Sequence, residues 1–461
     1  MSPISRRELL KNAAGGFGAI ALANLLSEDA GGAQASADPF APKPTHFAPR
    51  AKRVIFIFLN GGCSHIDAFD FKPKLWKDAG KTVKFYEWQG KPGDYNFFIK
   101  RPQWDFRPGG KCGMMVSDLF PHIREITDDI CMINSLTSDH TNHYEASLGM
   151  HTGSFTFARP SVGAWVSYGL GTENRNLPSF VVLTPTLPYA GAQTFGSDFL
   201  PGSHQGTLIT PGEKPIADLL PRTRTKQLQK LELDLIAEAN RANLGQSPED
   251  AALEARIRSF ETAFGMQIAA PEVFDLSGEK NATLESYGLQ RGETRGFAWQ
   301  CLVARRFAER GVRFIELINS NWDQHGDMLN HAPLAKQVDQ PVAALVQDLK
   351  QRGMLEDTLV VFTTEFGRTP HHMQKDAKGR EHHHQVFSSW FAGAGVRSGY
   401  VHGLSDEYGI EPAADKVHLH DFHATILHML GLDHERLTFQ HAGRDYRLTD
   451  VYGEVVYDLL A

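Results

Sequence analysis

The chain reads as an α/β fold, a mainly parallel sheet sandwiched by helices, and three observations predict it. Apolar runs of strand length, rich in β-branched and aromatic residues, recur as KRVIFIFLN, DICMINSL, VRFIELIN and TLVVFTTE. Amphipathic stretches of helical period alternate with the later runs, which is how a parallel sheet covered on both faces is built. Carboxylates and imidazoles stand just past the ends of the runs, where an open sheet collects its ligands.

The first segment is set apart from the fold. Residues 1–37 join the paired arginines of SRRELLK to the short apolar NAAGGFGAIALANLL and to Ala-x-Ala sites at Ala33 to Ala35 and Ala35 to Ala37. That is the pattern of a twin-arginine export signal, which places the mature chain in the periplasm or outside the cell. The apolar stretch is too short and too rich in Gly and Ala for a stable membrane span. A Pro-rich linker, 38–52, leads into a single domain, 53–461.

KRVIFIFLN, stopped by Gly61 and Gly62, is the first buried strand. Residues 71–117 lack steady periodicity and read as an excursion of loops and short strands. DICMINSL is the second strand, and TSDHTNHYEASLGMHTG is a turn and short helix closed by Gly153. PSFVVLTPT is the third strand, followed by surface loops over 186–215. TKQLQKLELDLIAEANRANL and PEDAALEARIRSFETAFGM interrupt the rhythm as a helical insertion, about 222–290. A helix over GETRGFAWQCLVARRFAERG precedes the strand VRFIELIN, and LAKQVDQPVAALVQDLKQRG is the next helix. The strands TLVVFTTE and SSWFAGAG and the closing helix HDFHATILHMLGLD complete the domain.

With 461 residues, 41% apolar and 22% charged, the chain buries a large core. A formal charge of −7, with no Lys/Arg block of useful length after residue 12, argues against a nucleic-acid partner. Cys63, Cys112, Cys131 and Cys301 are an even number in an exported chain. Their spacing leaves disulfides and burial as small hydrophobes equally open. Oligomeric state is not legible.

Three constellations carry chemistry. Asn60-Gly61-Gly62-Cys63-Ser64-His65 follows the first strand, and glycines there let backbone N–H groups approach a ligand. The plain alternative is a tight turn in which Asp67 and Asp70 cap the next element. Asp139-His140-Thr141-Asn142-His143 opens a helix, where free N–H groups bind anions. Asp323, His325, Glu365 and the run His382 to His384 end or precede three separate strands. Carboxylate oxygens with imidazole nitrogens suit a divalent metal, zinc first and manganese or iron next. Which histidine of the run binds is left open, because alternate residues of an extended chain point opposite ways. Arg368 stands where it could grip an oxyanion, with a surface ion pair as the alternative.

The twin-arginine start, VIFIFLNGGCSHIDAFDFKP, NHYEASLGMHTG, NWDQHG, TTEFGRTP, GREHH and HDFHATILHMLGLDHERLTF in this order resemble the secreted bacterial family called domain of unknown function 1501. That family is related to the alkaline phosphatase and sulfatase superfamily. The resemblance implies an alkaline-phosphatase-like fold with one or two divalent metals, calcium also possible among them. It also implies hydrolysis of a small-molecule or glycan phosphate or sulfate ester through a nucleophile that begins a helix. It puts Asn60, His325, Glu365 and His382 among the metal residues, with Asp323 nearby but not at the usual spacing, and Asn142 and His143 on an Asp-Ser pair.

Departures from the superfamily pattern are specific. Asn60 stands for an aspartate, Phe366 for a histidine, and His143 for the hydroxyl nucleophile. A single metal, or a pair completed by Asp67, Asp70 or His140, is therefore expected. His143 would be nucleophile or general acid, or Ser64 or activated water would attack instead. Asn60 and Asn142 would orient the substrate or water, with Arg368 on the oxyanion. The alternative is an envelope binding or scaffolding protein that keeps the fold without turnover, and a weaker third is a metal-dependent oxidoreductase.

Overall fold

The computed structural model of the protein describes residues 41–461, apart from 89–90, 218, 220–224, 226, 229, 230, 233, 237 and 241–250. The export signal lies outside the described residues, as does much of the insertion's first helical stretch. Part of the expected linker is strapped to the domain. Lys43 N–H donates to Leu170 O at 2.9 Å, His46 N–H to Gly431 O at 2.9 Å and Arg50 N–H to Met429 O at 2.8 Å.

Nine strands of the described residues form the central sheet. They are β1 (Arg53–Asn60), β2 (Ile130–Thr137), β3 (Phe180–Leu183), β4 (Thr207–Ile209), β5 (Phe314–Ser320), β6 (Thr358–Thr363), β7 (Phe387–Ala392), β8 (Tyr400–His402) and β9 (Val417–His418). Their order is β8-β2-β7-β6-β1-β5-β3-β4, with β9 also paired to β2. All pairings are parallel except those of β7, which runs antiparallel between β6 and β2. Strand β4 corrects the sequence reading of 186–215 as loops alone. TLI is too short to show a period, and it is ordered by pairing with β3 from Val181↔Thr207 to Leu183↔Ile209.

Both faces of the sheet are covered, and β1 shows why its sequence is apolar throughout. Ile55, Ile57 and Leu59 pack into one core cluster with Trp299, Val303 and Leu345, while Val54, Phe56 and Phe58 pack into the other with Trp165, Phe422 and Ile426. Successive side chains point to opposite faces, so a strand buried on both has no polar phase. One cover contains α4 (Gly296–Glu309) and α5 (His331–Gln351), joined by α3 (Ala251–Phe274) of the insertion. The other contains α1 (His143–Thr152), α2 (Val162–Leu170) and α6 (Leu419–Met429). Residues 71–117 form short antiparallel pairs, Thr82–Trp88 with Lys91–Ile99 and Phe106–Gly109 with Met114–Ser117. All four cysteines are free.

This topology gathers the sequence motifs at one edge. Strands β1, β2, β5 and β6 all finish there. Because β7 is antiparallel, the segment that precedes its first residue stands at that same edge. The His382 to His384 run therefore meets the ends of β5 and β6 although it comes before a strand.

Candidate metal centre

Gly61 and Gly62 make the edge close. Gly61 has φ +122°, and a Cβ on it would stand 2.6 Å from Trp322 N. Gly62 has φ +79°, and a Cβ there would meet the Phe366 ring at 2.8 Å. Only glycine lets the β1, β5 and β6 loops approach so nearly. The N–H group of Gly61 donates to Glu365 Oε1 at 2.8 Å and Oε2 at 3.1 Å. The anion held by this glycine turn is thus the protein's own carboxylate.

Four side chains converge on one oxygen, Asp323 Oδ1. Arg368 Nη2 lies 2.7 Å from it, His325 Nε2 3.0 Å, His143 Nε2 3.2 Å and His382 Nε2 3.3 Å. His143, Asp323 and His382 present ligand atoms all within 4.8 Å of one another. His325 adjoins them through its Nε2, 2.9 Å from that of His382.

The far nitrogen of each ring is already engaged. His143 Nδ1 is 2.6 Å from Glu365 Oε1, His325 Nδ1 is 3.0 Å from Glu381 Oε2, and His382 Nδ1 is 2.6 Å from Thr141 O. An acceptor behind Nδ1 puts the proton there and turns the Nε2 lone pair inward, which is how metal-ligating imidazoles are held. His143 Nε2 is buried and, despite its nearness to Asp323, has no aligned hydrogen bond. Two inward lone pairs on His325 and His382 at 2.9 Å repel unless a proton or a cation lies with them. The residues present therefore fit a single divalent ion with three nitrogens and a carboxylate as donors. Calcium, which takes oxygen ligands, does not suit this set.

The charges follow the geometry. Burial works against the Asp323 carboxylate, yet the three imidazoles and Arg368 hold its pKa far below the usual range. Hydrogen bonds to Asp323 and Glu381 push His325 up to about 9. Burial opposes the charge on His143, and the Asp323 and Glu365 carboxylates outweigh it and raise its pKa. Burial lowers the pKa of His382.

Several residues singled out in the sequence stand elsewhere than expected. Ser64 is fully buried and donates to Asp67 Oδ2 at 2.5 Å, so its hydroxyl does not face the donor group. Asp67 is itself paired with Arg380 Nε at 2.7 Å and Asp70 with Lys72 Nζ at 3.0 Å, which leaves neither to complete a second metal position. Asn142 is the N-cap of α1, its Oδ1 accepting from Tyr144 N–H at 3.1 Å. The Asn60 amide spans Ser320 Oγ and Tyr189 N–H, each at 3.4 Å, as a brace between loops. Glu365 stands behind His143 rather than among the converging donors.

Arg368 is fully buried, so it offers no open fork to an oxyanion. Its guanidinium donates to the carbonyls of Gly61, Gly62, Trp322 and Arg380 and to Asp323. Within the histidine run, His382 faces the group and His383 turns away to Ile410 O at 2.7 Å, the alternation of an extended chain.

Sequence reasoning missed two members of the surround. Glu381 bridges His325 and His372, at 3.0 and 3.3 Å, and its place beside the histidine run was the available signal. Tyr189 stacks on His143 at 4.3 Å and 13° from a loop that carries no motif.

A family model described as protein of unknown function, DUF1501, matches residues 51–460. The chain belongs to that family. No curated protein matches it. Solved structures similar to this DUF1501 chain include the PsFucS1 sulfatase from Pseudoalteromonas sp., at 14% identity and TM-score 0.35, covering 85% of this chain and 69% of that one. Another is the phosphonate monoester hydrolase SpPMH from Silicibacter pomeroyi, at 10% identity and TM-score 0.33, covering 82% and 73%. A magnesium-bound mutant of TAB5 alkaline phosphatase is similar at 10% identity and TM-score 0.32, covering 79% and 96%. Among the described residues of this DUF1501 chain, no helix is long and apolar enough to cross a membrane.

Proposed function

We propose that the protein is an exported, metal-dependent hydrolase of phosphate or sulfate esters, with one divalent ion held by His143, Asp323, His325 and His382. The observation that carries the reading is the convergence of three Nε2 atoms on Asp323 Oδ1, each ring fixed from behind at Nδ1. The ester class rests on the order of motifs, and export on the paired arginines at Arg6 and Arg7. Three imidazoles and a carboxylate suit zinc, with manganese or iron as further candidates.

A divalent ion held by His143, Asp323, His325 and His382 would supply Lewis acidity toward an ester oxygen or water, so no side-chain nucleophile would be required. His143 has one nitrogen on Glu365 and the other toward Asp323, which makes it a donor to the ion rather than an attacking group. Arg368 fixes Asp323 and the glycine turn in place of touching substrate. Glu381, about a third exposed, lies 3.0 Å from His325 Nδ1 and holds that ring from behind.

The test is elemental mass spectrometry of mature protein purified without chelator, followed by a panel of aryl phosphate, phosphonate and sulfate esters. About one tightly held divalent ion per chain and turnover that chelation abolishes are expected. Absence of stoichiometric metal after reconstitution sinks the reading. Metal without turnover favours the binding-protein alternative, which the closure of Arg368 also favours. Ser64→Ala discriminates within the site. It is expected to cost about 1–2 kcal/mol through the lost hydrogen bond to Asp67, with metal content and turnover unchanged. Loss of turnover at full metal loading would restore Ser64 as a participant.

A further inference from the structure

Helix α1, ten residues long, is held by several buried histidine contacts. His151, fully buried, lies 2.8 Å from Glu316 Oε1 with its Nε2 and 2.7 Å from Ser147 O with its Nδ1. Glu316 is in the middle of β5 and 1% exposed. Apolar rings surround the pair, with Phe58 edge-on to His151 at 4.5 Å and Phe56 at 5.8 Å. Two more imidazoles hold the far end of α1. His423 Nε2–H donates to Met150 O at 2.7 Å, and His420 Nε2–H to Gly153 O at 2.9 Å.

We propose that His151 and Glu316 are a positioning pair that sets where His143 presents Nε2 to the Asp323 group. The proposal rests on the reading of His143 as a donor to the cation. His143 and His151 are eight residues apart, about 12 Å along the helix axis. They reach two points of one chain segment, Asp323 just past the end of β5 and Glu316 inside it. Two such contacts fix both the slide and the rotation of α1 against the sheet. A buried ion pair adds little net stability over an apolar pair of similar volume, so what it contributes here is direction. Glu316 Oε2 has no hydrogen bond, so the pair hangs on a single oxygen and is sensitive to displacement.

The test uses the full mature chain and two readouts. One is cobalt(II) affinity with the visible spectrum of the cobalt-loaded protein. The other is the proton NMR signal of the short His143 Nδ1–H bond to Glu365 in metal-free protein. The double variant His151→Leu/Glu316→Leu is expected to keep the native melting temperature, bind cobalt about 10- to 100-fold more weakly and shift or lose the imidazole signal. Glu316→Gln lets a neutral His151 keep Nδ1–H on Ser147 O and accept at Nε2 from the amide N–H, so it is expected to retain both readouts. Should the double variant fail to fold, Glu316→Asp keeps the charge one methylene short and is expected to lose about 10-fold in affinity.

Native affinity, spectrum and imidazole signal in the double variant, or in Glu316→Asp where that variant is needed, would overturn the proposal. If the native chain binds no cobalt, the reading of His143 as a donor fails instead, and the metal-free NMR signal alone decides the positioning role.

Discussion

Asp323→Asn is expected to abolish binding of the proposed metal and to cost the fold about 3 kcal/mol, the largest effect of any single substitution at the site. The stability loss comes from Arg368. Its guanidinium is fully buried, and Asp323 is the carboxylate bonded to it, at 2.7 Å. Four carbonyls satisfy its N–H groups but bring no countercharge. The metal loss comes from Oδ1, on which His143, His325 and His382 all converge.

Affinity is expected to fall by at least about 100-fold in a chelator competition, since removing even an outer partner of a ligand costs 10- to 100-fold. His325→Ala separates the two effects. Its side chain is 40% exposed, so metal is expected to be lost with little change in unfolding free energy. An Asp323→Asn protein with native unfolding free energy would show that carbonyls alone suffice for Arg368. Native metal stoichiometry in that protein would remove Asp323 from the donor set.

The sequence made the sheet legible because strands such as β1 are buried on both faces and carry no polar phase to confuse their reading. It also drew attention to Asp323, His325 and the run His382 to His384, since titratable side chains beside the ends of apolar runs have few structural reasons to be there, while which histidine of the run faces Asp323 stayed open. Roles were harder to read than places. Glu365 and His143 were both visible as polar residues at strand and helix ends, but which is the donor and which its support depends on ring orientation, set by the Gly61 N–H and the helix start. Arg368 and Ser64 misled for a common reason. A polar side chain next to a site can be spent on backbone carbonyls or a buried neighbour, and local sequence carries no signal of that. Tyr189 was invisible because its contact with His143 is made by a loop whose course the sequence pattern does not fix.

A steep loss of stability on mild acidification is the second large effect expected, and it arises from buried histidines outside the proposed donor set. Burial pushes His204, His331, His371 and His423 each down to about 3. In the unfolded chain the same imidazoles titrate near their ordinary value of about 6.5. Between these limits the unfolded state binds more protons than the folded state, so unfolding free energy rises with pH and falls as pH drops.

Below about pH 6 each group removes roughly 1.4 kcal/mol per pH unit, and the four together about 5, a large part of the 5–15 kcal/mol typical of a domain. The histidines whose pKa is raised do not oppose this. His151, where Glu316 outweighs the burial that works against its charge, is protonated in both states below about pH 6.5, so its contribution is constant there and is lost only at higher pH. Urea unfolding of metal-free protein from pH 7 to 4.5 is the measurement, since metal release then adds nothing to the slope. His423→Gln, which keeps a donor for Met150 O, is expected to flatten the slope by about a quarter. A stability that stays level between pH 6.5 and 4.5 would mean that these histidines are hydrated in the folded protein, His423 at Met150 O among them.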